Sequence, residues 1–374
     1  MGLKQLPDGR VLVNDYARRR LIVFDNTLSS FSVVADSIGT GSKAYPVLAP
    51  RLFVPYLADT TLFADVGARV YLVIGPNGTI GRTMAPNRPV DVTALLMIGA
   101  GVPGADAQGR LLFRAPFESG RRPLPTPASM DTVWIARANL DTRTVDTVGF
   151  VFLPRPPQST GPTTANPNAP VTTFVNPVPG ALDDWAVLSD GSLAIVRGHD
   201  YHIDWLYADG TRASTQKMPF DWRRLTDEDK QAKIDSAKRI VDSVTASGGH
   251  FSRTLRPRLT ADGRMVTDTA YPEVRFVPLK DIADYVPPIR SGALNPDLDG
   301  NLWILPTTSV QAKGGLLYDV VNKKGEIFER VQLPVGRDIA GFGRGGIVYL
   351  SRLDGTSGYY VERTTVMRGA ANAK

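Results

Sequence analysis

The chain has 374 residues, 43% of them hydrophobic and 21% charged, the balance of a globular protein with an ample core. Its 43 Lys and Arg against 37 Asp and Glu give a formal charge of +6, and the basic clusters at 18–20, 121–122 and 223–224 are short and far apart, which argues against nucleic acid as a partner. There is no cysteine, so disulfides, thiolate metal sites and a cysteine nucleophile are excluded.

Residues 1–6 run into the first strand unit without a charged-then-apolar leader, and no window approaches the roughly 18 apolar residues of a membrane span. Three strand-like runs follow at 6–15, 20–25 and 30–35. A second unit occupies 59–65, 69–74 and 79–83, with Pro76, Asn77 and Gly78 as its turn. The third starts at 108–113, resumes at 132–136 and ends over 145–153. Asp190-Gly191 and Asp209-Gly210 bracket the two apolar runs of the fourth, at 188–211. Asp-Gly supplies the positive φ that tight hairpin turns need, so these dipeptides mark antiparallel strands. A fifth unit covers 295–305, 315–321 and 329–333, and a sixth 339–350 and 358–366.

Six units of three or four strands predict an all-β, six-bladed β-propeller, a single domain over 1–374. Runs such as 70–74 and 21–24 are apolar on both faces, as sheets packed on two sides require and a half-solvated sandwich does not. A sandwich of the same hairpins, or seven blades if 251–277 supplies one, also fits the spacing.

Two insertions interrupt the repeat. Residues 154–180 carry eight prolines, which remove strand donors and predict a long extended loop. Its apolar Val171, Phe174, Val175 and Val178 imply some burial. Residues 225–247 predict a helix: Thr226 caps it, acidic residues 227–229 face its positive end, and Ile234, Ala237, Val241 and Val244 form a stripe expected to pack on the propeller.

Catalytic patterns are sparse. His199 and His202 invite a metal reading, but positions three apart on a strand point to opposite faces, which predicts a polar loop instead. Asp297-Leu-Asp-Gly-Asn301 lacks the glycine at position six and the glutamate at twelve of a calcium loop, and reads as a turn. No nucleophile elbow, phosphate-binding loop or zinc-protease helix occurs. No catalytic residue, cofactor or metal ligand is therefore expected. Asp15, Asp65, Arg197 and Asp200, read as ending inner strands, are candidates for one mouth of the central channel. Arg155 and Phe174 in the Pro-rich loop, with Trp222, Arg223 and Arg224 before the helix, are candidates for binding a partner, since aromatic and arginine side chains dominate protein interfaces.

The runs at 7–13 (Pro-Asp-Gly-Arg-Val-Leu-Val), 59–65, 197–205 and 299–303 resemble the six-bladed propellers of the NHL and TolB-like group. The resemblance implies the fold and a periplasmic or otherwise extracytoplasmic home. The function expected is a non-catalytic scaffold propeller that docks on a protein partner, as an accessory subunit of a cell-envelope or membrane-bound electron-transfer complex. The alternative is a hydrolase or lactonase-like enzyme with a small-molecule site in the channel.

Overall fold

The computed structural model describes residues 2–47, 52–95, 101–115, 130–154, 171–178, 180–250, 254–259, 265–354 and 358–366. Their strands form six consecutive antiparallel sheets, the blades of a six-bladed β-propeller. Blade one is β1 (Gly2–Gln5), β2 (Val11–Asp15), β3 (Arg20–Phe24) and β4 (Phe31–Ala35). Blade two is β5 (Val54–Pro55), β6 (Thr61–Asp65), β7 (Val70–Ile74) and β8 (Ile80–Met84). After the short helix α1 (Asp91–Ala94), blade three comprises β9 (Gly104–Ala105), β10 (Leu111–Arg114), β11 (Met130–Ala138) and β12 (Val145–Pro154). An excursion with β13 (Thr172–Val175) leads to blade four: β14 (Asp184–Val187), β15 (Leu193–Arg197), β16 (His202–Leu206) and β17 (Arg212–Ser214).

A longer excursion contains the helix α2 (Asp227–Ala246), β18 (Thr254–Leu259), β19 (Met265–Ala270) and β20 (Glu273–Phe276). Blade five then has β21 (Leu294–Pro296), β22 (Leu302–Ile304), β23 (Leu317–Val321) and β24 (Ile327–Gln332). Blade six has β25 (Asp338–Phe342), β26 (Ile347–Asp354) and β27 (Gly358–Thr365). Residues 251–277 do not supply a seventh blade: β18 and β19 pair only with each other, and β20 pairs in parallel with β13.

Each blade buries both faces, and alternation along its strands decides which neighbour each residue meets. Leu12 packs toward blade two with Leu21, Phe63 and Ile74, whereas Val11 and Val13 pack toward blade six with Tyr349. Equivalent apolar clusters fill the seams between blades two and three, three and four, four and five, and five and six. The double-sided apolar runs are thus six inter-blade cores arranged in a ring.

Five seams are also joined by the chain itself, while the sixth, between the last blade and the first, is held among the described residues by side-chain contacts. Among the described residues blade one is complete within residues 2–35, and none of its strands pairs with blade six. Gln5 donates from Nε2 to the Tyr349 hydroxyl at 3.1 Å, and its Oε1 accepts from the Arg344 backbone N–H at 2.8 Å. Arg363 reaches the Asn26 carbonyl at 3.1 Å. A Cβ on Gly341 would lie 3.0 Å from both the Leu3 side chain and its carbonyl, so β25 and β1 approach closely.

The two excursions unite into a small cap. β13 and β20 pair across a separation of about a hundred residues, and Val178, Leu225, Val277 and Ile282 form a core between them. The N-terminus of α2 is fixed to this core by a reciprocal cap: Thr226 Oγ1 accepts from the Asp229 N–H and the Asp229 carboxylate accepts from the Thr226 N–H, each at 3.2 Å. Lys230, buried, pairs with Asp284 at 2.7 Å. The helix stripe is only partly packed, contrary to expectation. Ile234 packs against the cap core, while Ala237, Val241 and Val244 remain partly exposed. Among the described residues no helix is long and apolar enough to cross a membrane.

Candidate functional site

Antiparallel blades have two ends. One carries the turns between first and second strands; the other carries the turns between second and third strands together with the blade-to-blade excursions. Every sequence-predicted site residue that is described belongs to this second, upper end.

Asp15, Asp65 and Arg197 occupy one repeated position there, but they close the second strands β2, β6 and β15 and not the innermost strands. Their chemistry is local. Asp15 accepts the Arg18 N–H at 3.2 Å and the Arg20 Nε–H at 2.9 Å, and Asp65 accepts the Ala68 N–H at 3.0 Å. Each carboxylate thus holds a turn whose fifth residue, Arg19 or Arg69, has positive φ. Arg197 bridges Asp183 and Asp204, both at 2.7 Å, donates to the Phe150 carbonyl at 2.9 Å and stacks on the Phe150 ring at 4.9 Å. This side chain pins blade four to blade three.

Asp200 joins the same network through His202. The ring nitrogens lie 2.7 Å from Asp200 Oδ1 and 3.2 Å from Asp204 Oδ1, so both face carboxylates. His199 is exposed in the turn and away from this clamp. Among the described residues no group of three His, Cys, Asp or Glu side chains is placed to hold a metal ion. The acidic run at 297–301 is a satisfied turn: the Asp297 carboxylate accepts from the backbone N–H groups of Asp299 and Asn301, from Asn301 Nδ2 and from Trp303 Nε1.

Asp184, on innermost β14, differs from these in its burial. Its Oδ2 accepts the N–H groups of Gly292 and Ala293 at 2.9 and 3.1 Å, tying blade four to blade five. Burial pushes its pKa up to about 7, against the opposing pull of three backbone N–H donors. A folded pKa raised above the unfolded value means that the folded protein holds a proton the unfolded chain has lost. This contribution is complete below about pH 4 and fades as pH rises through about 7. Between pH 5 and 6 the wild type should therefore lose roughly 1.4 kcal/mol of unfolding free energy relative to Asp184→Asn, read from urea titrations of both proteins. Parallel pH profiles would show that Asp184 is ionised throughout.

The partner-binding candidates separate. Arg155 lies outside the described residues. Phe174, on β13, is half-buried against the cap core. Arg223 pairs with Asp229 at 2.8 Å, and Arg224 bridges by its backbone to Tyr285, where the Leu225 N–H also meets the Asp284 carbonyl. Trp222 ends a ladder of aromatic rings. Buried Tyr201 meets Phe220 at 5.7 Å, Phe220 meets Trp222 at 5.1 Å and Trp222 meets Tyr285 at 6.4 Å, all edge to face. The inner ring is 1% exposed, whereas Trp222 and Tyr285 are 39% and 45% exposed. Phe220 and Tyr285 carry no sequence signal, since Trp222 and Tyr285 lie 63 positions apart in the sequence. A cavity of about 250 Å³ also opens on the upper end, between blades one and two, lined by Ser42, Tyr45, Asp65, Leu72 and Ile80 among others.

No family model and no curated protein matches the chain. Solved structures similar to it include a catalytically inactive virginiamycin B lyase from Staphylococcus aureus, 11% identical over 98% of this chain and 94% of that one, with a TM-score of 0.38. A gluconolactonase from Xanthomonas campestris is 10% identical over 97% and 85% of the two chains, with a TM-score of 0.38. A luciferin-regenerating enzyme is 10% identical over 98% and 93%, with a TM-score of 0.39. At this level of identity and superposition none of them bears on what this chain does.

Proposed function

We propose that the chain is a non-catalytic docking propeller that engages a protein partner through the cap on its upper end. The observation that carries this reading is the aromatic ladder, which runs from the blade-four core to two exposed rings. Aromatic side chains held rigidly by buried neighbours bind a partner with little further loss of conformational freedom, and exposed Arg223 and Arg224 flank them. The resemblance to exported propellers supports a partner in the cell envelope, where the propeller would be an accessory subunit of an envelope or membrane-bound complex, electron-transfer complexes included.

A second reading, an enzyme acting on a small molecule, is favoured by the cavity beside Asp65, where apolar walls surround one carboxylate. Isolation of the tagged protein from gently solubilised cells, with metal analysis of the same sample, distinguishes the two. Docking predicts a stoichiometric companion that disappears from the Trp222→Ala, Tyr285→Ala double variant while the propeller stays folded. A solitary protein carrying a divalent metal would support the enzyme.

A further inference from the structure

Each blade presents its outermost strand as a sheet edge, and in five blades that edge is blunted. The outer strands β4, β8, β12 and β24 each carry one extra residue against the neighbouring strand, at Val34, Gly81, Val148 and Phe328, and β17 is only three residues long. Bulges and short edges keep a sheet from pairing with a further strand. Blade six differs. Among the described residues it has three strands where the other blades have four, so its edge is β27, the counterpart of their third strands. β27 pairs with β26 along all eight of its residues without a bulge, and it contains no proline or lysine. It is built as an interior strand is built. Two of its large rings, Tyr359 and Tyr360, are 53% and 50% exposed.

The side chains of β27 narrow what covers it. Val361 packs toward blade one, and on the same face Arg363 is held by the Asn26 carbonyl at 3.1 Å. On the opposite face Glu362 is held by Arg337 in two bonds of 3.1 Å, and Arg352 stacks on the Tyr360 ring at 4.9 Å. The strand thus offers one fixed anion, one fixed cation and two tyrosines. Two copies of it laid antiparallel about Val361 bring Tyr359 opposite Arg363 and Tyr360 opposite Glu362, each pair on one face of the sheet. Guanidinium on a tyrosine ring and tyrosine hydroxyl to carboxylate are both favourable cross-strand pairs. Moving the two-fold axis to Glu362 would set two carboxylates against each other, so the register is specified.

We propose that β27 is a homodimer interface, each copy supplying the strand that completes blade six of the other in the register centred on Val361. A two-fold pairing uses each edge once and closes at two copies. One pair of strands is a small interface, and its association is weak, about 10–100 µM, so dilute unfolding titrations report the single copy. The edge shares no residue with the cap, and the failure of either interface leaves the other standing.

Sedimentation velocity of the full chain from about 1 to 500 µM tests the proposal, and should show a single copy passing into a dimer. Tyr359→Lys sets a second cation against Arg363 and should weaken association at least tenfold, whereas Tyr359→Glu sets a carboxylate there and should not weaken it. The chain has no cysteine, so Val361→Cys introduces the only thiol. Residues directly opposed in antiparallel strands have Cα atoms about 4.5–5.5 Å apart, within disulfide reach, and mild oxidation should link Val361→Cys into a covalent dimer. Tyr359→Cys, off the axis, should not link. This comparison serves if the charged variants do not fold. A chain that stays single at every concentration, an assembly larger than two, equal effects of Lys and Glu at position 359, or equal linking at 359 and 361 would each overturn the proposal.

Discussion

Replacing Tyr349 by alanine lowers the unfolding free energy by roughly 3–5 kcal/mol, the cost of emptying a large aromatic site in a packed core. Tyr349 is fully buried at the seam between blades six and one, against Val11, Val13 and Ile22. Its hydroxyl receives the Gln5 amide, so the variant also strands a half-buried donor. The position matters because, among the described residues, this is the seam of the ring that no connecting segment crosses, and a weakened seam opens the ring instead of loosening one neighbour. Tyr359→Ala, on β27 of the same blade but 53% exposed, should change the value by no more than about 0.5 kcal/mol in the same urea titration. Equal losses in the two variants would mean that the ring is not held shut at Tyr349.

Partner affinity should fall about 30-fold or more, some 2 kcal/mol, on replacing either Trp222 or Tyr285 by alanine. Each ring offers an exposed apolar face and a fixed direction. Trp222 is backed by Phe220, and Tyr285 lies on the strand segment that bridges to Arg224. Because the two rings touch each other, the double variant should lose less than the sum of the single losses. Phe328→Ala, 48% exposed on the outer strand β24 of blade five, should leave affinity unchanged. Calorimetric titration of the isolated partner into each variant reads these differences, and a Phe328 effect as large as that of Trp222 would move the interface elsewhere.

Much of the fold was legible because burial on both sides leaves a mark that a sandwich does not. The run at 70–74 is apolar at every position, and Tyr71, Val73 and Ile74 are buried. The innermost strands of the first three blades are not legible in the sequence. β5 is Val-Pro and β9 is Gly-Ala, pairs too short to show periodicity, and β1 is Gly-Leu-Lys-Gln. Without them β2 and β6 look innermost, and the sequence puts Asp15 and Asp65 at the channel mouth, whereas they hold turns one strand further out. The cap was legible only in parts. Thr226 and the acidic first turn announced α2, but the parallel pairing of β13 with β20 joins two excursions that local pattern treats separately, and Tyr285 reaches Trp222 only through that pairing. Trp222, Arg223 and Arg224 were legible as a cluster because they are adjacent in sequence.

Site-specific photo-crosslinking tests the docking surface most directly. A photoreactive phenylalanine analogue at position 285, beside Trp222, and the same residue at position 328 on blade five, are introduced into the tagged protein in living cells. A partner docked on the cap gives one dominant crosslinked protein from position 285, absent from position 328 and lost when Trp222 is also replaced by alanine. No crosslink from 285, or the same products from both positions, would contradict a partner docked on the cap.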